Sequence, residues 1–188
     1  MNHLIKLLTA VLFILACVTE TSAQDYKRVE VDLGLRASFF TGDRGGGGAG
    51  FFLEPRYNIN NKVTVGLRWG LDALVERIGE TGEPVDASVL PSYILTGDYI
   101  INNKKNKRFF VGLGLGFSGQ NSTAFEVEGT GEVTETADIG SSFGIVPRVG
   151  IKLGLFKVAL DYSIYTKANT QDFLGLNLGF SFGGGRRK

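Results

Sequence analysis

Large apolar residues alternate with small or polar residues along the segment 173–182, which reads FLGLNLGFSF. The alternating sets are Leu174, Leu176, Leu178, Phe180 and Phe182 on one side and Gly175, Asn177, Gly179 and Ser181 on the other. A period of two places these sets on opposite faces of one β-strand. The segment is therefore predicted to be a strand with one apolar face.

Seven upstream segments show the same alternation, and they lie at 29–39, 51–57, 63–73, 87–101, 109–117, 143–153 and 158–165. Short turns are predicted at 58–62, 102–107 and 155–156, and longer loops at 41–49, 77–86, 119–141 and 168–172. Pro91 lacks a backbone donor, so it predicts a bulge or kink in the fourth strand. Leu90 and Ile94 interrupt the polar face of that strand. Eight strands with these connections predict an all-β, eight-stranded, antiparallel, up-and-down barrel.

The polar face of the strands is rich in glycine and carries acids and bases in near balance. Glycine weakens a solvent-exposed strand, whereas the interior of an eight-stranded barrel needs small residues beside large ones. Buried charges also need partners, because an unpaired buried charge is strongly destabilising. The polar face is therefore predicted to point inward. Its interior charge network comprises Glu30, Asp32, Arg36, Glu54, Arg56, Arg68, Asp72, Asp98, Arg148, Lys152 and Asp161.

An apolar face that points outward is the arrangement of a transmembrane barrel. The alternation of short turns with longer loops favours the same interpretation, because such barrels have short periplasmic turns and longer outer loops. Aromatic residues near predicted strand ends are typical of an interfacial girdle, and they include Tyr57, Tyr99, Phe109 and Phe182. After the N-terminal segment the sequence has no run of about 18 apolar residues, which excludes a helical membrane protein.

The N-terminal segment has the three regions of a secretory signal peptide. Lys6 supplies a positive charge, 7–16 is apolar, and 21–23 provides small residues for cleavage. We therefore predict residues 1–23 as a signal peptide and residues 24–188 as the barrel domain.

A lipobox at 14–17 is the alternative, with Cys17 retained and lipidated. Leu15 matches the middle position of that motif poorly, which favours cleavage after Ala23. The chain has one cysteine, Cys17, and one histidine, His3, and both lie in the predicted signal peptide. The mature domain is therefore predicted to lack disulfides, thiol chemistry and imidazole chemistry.

The whole predicted barrel domain resembles small eight-stranded outer-membrane barrels of the OmpA/OmpX type, in the version common among Bacteroidetes-like exported proteins. The strand pattern and the cleavage region around Ala23 carry this resemblance. It implies a location in the bacterial outer membrane, with membrane lipid or lipopolysaccharide and the outer-membrane assembly machinery as partners. One departure is the tail 183–188 after Phe182, because such barrels often end on an aromatic residue that the assembly machinery reads.

The resemblance also includes enzymes, since outer-membrane acyltransferases, deacylases, phospholipases and proteases use a histidine on this fold. A domain without histidine cannot use those mechanisms in their usual form. The G-x-G-x-x-G match at 114–119 lies in a predicted strand with no following helix, which argues against a dinucleotide site. A net charge of +1 gives no indication of nucleic-acid binding. The sequence predicts no catalytic, cofactor-binding or metal site.

The predicted loop 119–141 carries five carboxylates and neither Lys nor Arg, the carboxylates being Glu126, Glu128, Glu132, Glu135 and Asp138. Such a set would suit a divalent cation or a basic partner, but its spacing matches no calcium loop and a solvated loop is favoured. The predicted function is that of a non-enzymatic outer-membrane protein with a structural or surface-interaction role and an unidentified surface partner. The alternative is a narrow solute channel, although the lumen of eight strands is about filled by side chains.

Overall fold

Eight β-strands form the protein in a computed structural model that describes residues 27–41, 46–76, 86–104, 107–124, 137–166 and 172–184. The strands are β1 Val29–Phe40, β2 Gly46–Asn58, β3 Val63–Glu76, β4 Asp86–Lys104, β5 Lys107–Ala124, β6 Ala137–Leu153, β7 Phe156–Tyr165 and β8 Phe173–Gly183. The predicted signal peptide, residues 1–23, lies outside the described residues.

The strands close into one barrel in which each strand pairs antiparallel with its sequence neighbours and β1 pairs with β8. The predicted all-β, eight-stranded, up-and-down barrel is confirmed. Closure satisfies the backbone groups of every strand edge, which a sheet in a membrane requires. Among the described residues, helices with the length and hydropathy needed to cross a membrane are absent.

Several strands extend further than the alternation predicts. The predicted C-terminal boundary of the loop 41–49 was wrong, because β2 begins at Gly46 and Gly47 pairs with Phe39. The predicted loop 119–141 was too long on both sides, since β5 continues to Ala124 and β6 begins at Ala137. Backbone pairing can continue through glycine and polar residues, where the period-two signal of side chains is lost.

The connections at the other end are shorter than predicted. The predicted turn 102–107 is mostly strand, because Lys104 pairs with Lys107 at the ends of β4 and β5. The turn between β6 and β7 lies at 154–155, so Phe156 already belongs to β7. Gly154 has a φ of +61° there, a left-handed conformation that glycine adopts without steric cost.

Pro91 does not produce the predicted bulge. Val89 lies opposite Asn121 and Ser92 lies opposite Ser118, so the register between β4 and β5 is the same on both sides of the proline. A proline removes one backbone donor from the ladder, which does not require an extra residue in the strand. The register of this pair shifts instead between Ile100 and Asn102.

The barrel is apolar outside and polar inside. Large apolar side chains are exposed on all eight strands, for example Leu35 on β1, Leu95 on β4 and Leu178 on β8. The intervening positions are buried or half-buried and are mostly charged, hydroxyl-bearing or glycine. This distribution is the reverse of that in a water-soluble barrel and matches a barrel surrounded by lipid.

Interior aromatic rings lie against glycines on the neighbouring strand. Phe52 is paired with Gly34 on β1, and a Cβ placed on Gly34 would lie 2.8 Å from the Cζ of that ring. Phe110 is paired with Gly150 on β6, where the corresponding distance is 2.6 Å. The glycine-rich inner face therefore makes room for rings that fill the lumen.

Candidate functional site

The lumen of the barrel is the candidate site, because the predicted charges converge there. All eleven charged residues predicted for the interior are buried, from Asp32 and Glu54, which are 0 % exposed, to Arg56, which is 8 % exposed. They come from six of the strands, and the alternation of each strand directs them to the same side. The inner face therefore carries a concentration of charge rather than a conventional apolar core.

Two interior bases were missed in the sequence. Arg108 and Lys157 are buried, and each lies one residue before the strand start that the alternation predicted. The Arg108 Nη2 atom lies 2.6 Å from the Glu30 Oε2 atom, and Lys157 forms an ion pair with Asp32. Extending the period of two by one residue would have identified both. The described interior then holds six acids and seven bases.

Arg148 and Arg56 form the centre of the network. The guanidinium of Arg148 donates to both oxygens of Glu54, at 2.7 and 3.1 Å, and to both oxygens of Asp98, at 2.7 and 2.8 Å. Arg56 donates to Asp32 at 3.1 Å and also pairs with Asp98. Such bidentate geometry is the strongest form of guanidinium–carboxylate pairing.

Arg68 connects this centre to a second group nearer the long loops. Its Nε atom lies 3.1 Å from the Glu54 Oε2 atom, and its Nη1 atom lies 3.0 Å from the Asp161 Oδ2 atom. Asp161 also pairs with Arg36, which in turn lies 3.4 Å from Asp72. Because each pair shares a member with the next, all thirteen charged side chains belong to one continuous network.

Aromatic rings stack against the cations of the network. The Arg68 guanidinium lies 4.6 Å from the centroid of Phe52, and the Arg36 guanidinium lies 4.8 Å from the centroid of Phe173. The Lys157 ammonium lies 5.2 Å from the centroid of Phe110. Cation–π contacts of this kind are strengthened when both groups are removed from water.

Little free volume is recorded at the turn side of the lumen. A cavity of 10 Å³ there is lined by Arg56, Thr64, Ile100, Arg108, Phe110 and Lys152. This volume is about what one water molecule needs. Among the described residues, no group of three or more His, Cys, Asp or Glu side chains is arranged to hold a metal ion.

The predicted surface loop is placed only in part. Glu126, Glu128, Glu132 and Glu135 lie outside the described residues. Asp138 lies in β6, where it is paired with Asn121 of β5. The carboxylate cluster of this loop therefore remains a prediction from the sequence.

Solved structures of several small barrel proteins match this architecture. The attachment invasion locus protein Ail of Yersinia pestis matches with a TM-score of 0.52 at 18 % identity, covering 83 % of this chain and 99 % of Ail. Neisserial surface protein A matches with a TM-score of 0.52 at 13 % identity, covering 81 % of this chain and 92 % of the neighbour. The outer-membrane protein OprG of Pseudomonas aeruginosa matches with a TM-score of 0.52 at 12 % identity, covering 88 % of this chain and 100 % of OprG. The chain has the fold of the small outer-membrane β-barrels.

At these identities the likeness concerns the fold, and the apolar exterior of this barrel independently indicates a membrane. No protein-family model matches the chain. No curated protein matches it either.

The two ends of this barrel differ in charge. The loop end comprises the connections at 41–46, 76–86 and 166–172 together with 119–141, which contains the ends of β5 and β6 and the residues between them. The turn end comprises 27–28, 59–62, 102–108 and 154–155. The loop end carries eleven acids and three bases, the acids being Asp43, Glu76, Glu80, Glu83, Asp86, Glu126, Glu128, Glu132, Glu135, Asp138 and Asp172. The turn end carries seven bases and no acid, the bases being Lys27, Arg28, Lys62, Lys104, Lys105, Lys107 and Arg108. The sequence thus separates charge along the barrel axis.

Proposed function

We propose that this chain is a non-enzymatic outer-membrane barrel with a surface-interaction role, in which a plugged lumen supports acidic loops that bind a cationic partner. The observation that carries the proposal is the continuous ion-pair network across the lumen. It gives the interior charges a structural role and leaves the loops as the region available to bind a partner.

The network argues against a catalytic role for the interior carboxylates. Each of the six acids is paired with at least one base, and Glu54 lies within ion-pair distance of four bases. Carboxylates paired with bases in this way hold the lumen together, and a network of this kind is structural rather than catalytic. The predicted mature domain also lacks histidine, the commonest general base near neutral pH, and cysteine, a strong nucleophile.

The ion pairs that cross the lumen also argue against the alternative role of a narrow channel. Arg56, Arg68 and Arg148 reach across an interior that eight strands make only wide enough for side chains. We expect planar-bilayer recordings of the purified barrel to show no persistent, large single-channel steps. A sixteen-stranded porin under the same conditions is the positive control, and steady wild-type conductance would support the channel instead.

The acidity of the loop end indicates the charge of the partner. Ail of Yersinia pestis has been solved in complex with the heparin analogue sucrose octasulfate, which is a polyanion, and that structure matches this chain with a TM-score of 0.51 at 18 % identity. The loop end of this chain would repel such a ligand, because its acids outnumber its bases eleven to three. Electrostatic complementarity favours a cationic protein or peptide surface instead.

The experiment replaces the glutamates of the 119–141 segment, with the combined variant Glu126→Gln, Glu128→Gln, Glu132→Gln and Glu135→Gln. We expect binding of a lysine-rich peptide to reconstituted barrels to fall at least tenfold, since the four lost charges together remove about 1.4 kcal/mol or more of electrostatic attraction. The matched control is Thr130→Ala, Thr134→Ala and Thr136→Ala, which alters the same segment without changing its charge. Equal peptide binding by the glutamine variant and the wild type would contradict the proposed partner chemistry.

The loop end is expected to face the cell exterior, as longer loops do in outer-membrane barrels. Protease added to intact cells should therefore cut first within 119–141, the longest connection between predicted strands. Cleavage at 102–107 in intact cells, before any cleavage in 119–141, would show the opposite orientation. Lysed cells provide the control, because both segments are then open to the protease.

A further inference from the structure

The turn end of the barrel carries basic side chains that take no part in the lumen network. Lys27, Lys62 and Lys107 are exposed and Arg28 is half-buried, whereas Arg108 points inward and pairs with Glu30. Among the ion pairs of the described residues, none involves these four outer bases. Their charge is therefore directed to the surroundings of the barrel.

These bases are held around the perimeter by backbone pairing. The carbonyl of Arg28 accepts a hydrogen bond from the Asn58 amide at 2.7 Å, which fixes the entry to β1 against the end of β2. The carbonyl of Lys62 accepts one from the Ile100 amide at 2.6 Å, which fixes the β2–β3 turn against β4. Lys107 is paired with Leu153 at the start of β5. The positive charge thus follows the edge of the barrel across several strands.

The same edge carries the aromatic residues expected of a membrane interface. Tyr99 and Phe109 are exposed beside these bases, because Val63 pairs with Tyr99 next to Lys62 and Phe109 follows Lys107 on the same face of β5. Phe156 and Phe182 are also exposed at the turn-side ends of β7 and β8. Aromatic belts lie at the level of lipid headgroups, and lysine side chains extend from apolar surroundings to the same level.

We propose that the turn end is a binding surface for anionic phospholipids of the inner leaflet, with headgroup phosphates on the outer bases and acyl chains against the aromatic belt. Clustered bases beside a membrane-spanning segment attract anionic headgroups over zwitterionic ones. The bases lie along the perimeter, where a leaflet surrounds the barrel. A polymer below the membrane, such as peptidoglycan, would contact the flat end instead.

The test uses delipidated, folded barrel in a neutral detergent and native mass spectrometry with phosphatidylglycerol or phosphatidylcholine. We expect the wild type to bind phosphatidylglycerol more tightly. The double variant Lys62→Gln and Lys107→Gln should bind it about tenfold more weakly, from the attraction that each removed base supplies. The matched control Arg77→Gln and Lys167→Gln removes two charges from the loop-end connections and should change this affinity less than twofold.

A second measurement does not depend on the variants folding. In 1 M ammonium acetate, a volatile salt that native mass spectrometry tolerates, the Debye length falls to about 3 Å, so the wild-type preference for phosphatidylglycerol should largely disappear. Equal affinity for the two lipids, or equal losses in the turn-end and loop-end variants, would overturn the proposal. A second outcome would also overturn it. In that case the wild type sediments with purified peptidoglycan, and the double variant Lys62→Gln and Lys107→Gln loses this sedimentation but keeps its lipid binding unchanged.

Discussion

Replacing Glu54 with alanine should lower the free energy of unfolding by about 5 kcal/mol, at the upper end of the range for breaking a buried ion pair. Glu54 is fully buried and lies within ion-pair distance of Arg148, Arg68, Arg56 and Lys157. Its loss leaves five acids facing seven bases in the lumen. Equilibrium urea unfolding in lipid vesicles, followed by the mobility shift of the folded barrel on unheated SDS gels, measures the effect.

Removing a base from the network should lower the free energy of unfolding by less than removing Glu54. Arg148→Ala removes the hydrogen bonds to Glu54 and Asp98, but it leaves six acids facing six bases, and Asp98 keeps its pair with Arg56. We expect a loss of about 3 kcal/mol. The double variant Glu54→Gln and Arg148→Met should be more stable than Glu54→Ala, because it removes one charge of each sign.

An exposed base provides the matched control for both variants. In vesicles of phosphatidylcholine, which lack anionic headgroups, Lys107→Ala should change the free energy of unfolding by no more than about 0.5 kcal/mol, since a solvated charge loses little. Equal stability losses for Lys107→Ala and Glu54→Ala would contradict the network as a source of stability. A loss from Arg148→Ala larger than that from Glu54→Ala would show that local hydrogen bonds outweigh the balance of charge.

The alternation of the sequence was sufficient to predict the strands and the side to which each residue points. This worked because one face of every strand lies against lipid and the other against a crowded lumen, so polarity changes at each residue. The signal weakened at the strand ends, where Gly46 and Lys104 pair although neither belongs to an alternating run. Arg108 and Lys157 were missed for the same reason.

The partners within the network could not be predicted from the sequence. Arg36 pairs with Asp161, and Lys157 pairs with Asp32, each across a separation of 125 residues. Such pairs depend on the register of strands around the closed barrel, which alternation does not specify. The sequence indicated that charges would need partners, and closure of the barrel determined which partners they have.

The same closure makes some glycines irreplaceable, and Gly34 is the clearest case. A Cβ on Gly34 would lie 2.4 Å from the carbonyl oxygen of Leu178, 2.7 Å from the Cα of Gly179 and 2.8 Å from the Phe52 ring. Two of these three atoms belong to the β8 backbone, which cannot move without disturbing the pairing that closes the barrel. We expect Gly34→Ala to lower the free energy of unfolding by about 3 kcal/mol, the upper part of the range for overpacking.

Gly97 allows the same substitution to be made where space is available. It lies in β4 between Val65 and Leu113, and a Cβ there would meet no atom within 4 Å. Gly97→Ala should therefore leave stability unchanged or raise it by about 0.5 kcal/mol, because alanine restricts the unfolded chain. Urea unfolding of the two variants side by side measures the difference. Equal losses of the free energy of unfolding at Gly34 and Gly97 would mean that glycine serves only backbone conformation in these strands. A loss confined to Gly34 shows that the lumen and the β1–β8 pairing need a residue without a Cβ at that position.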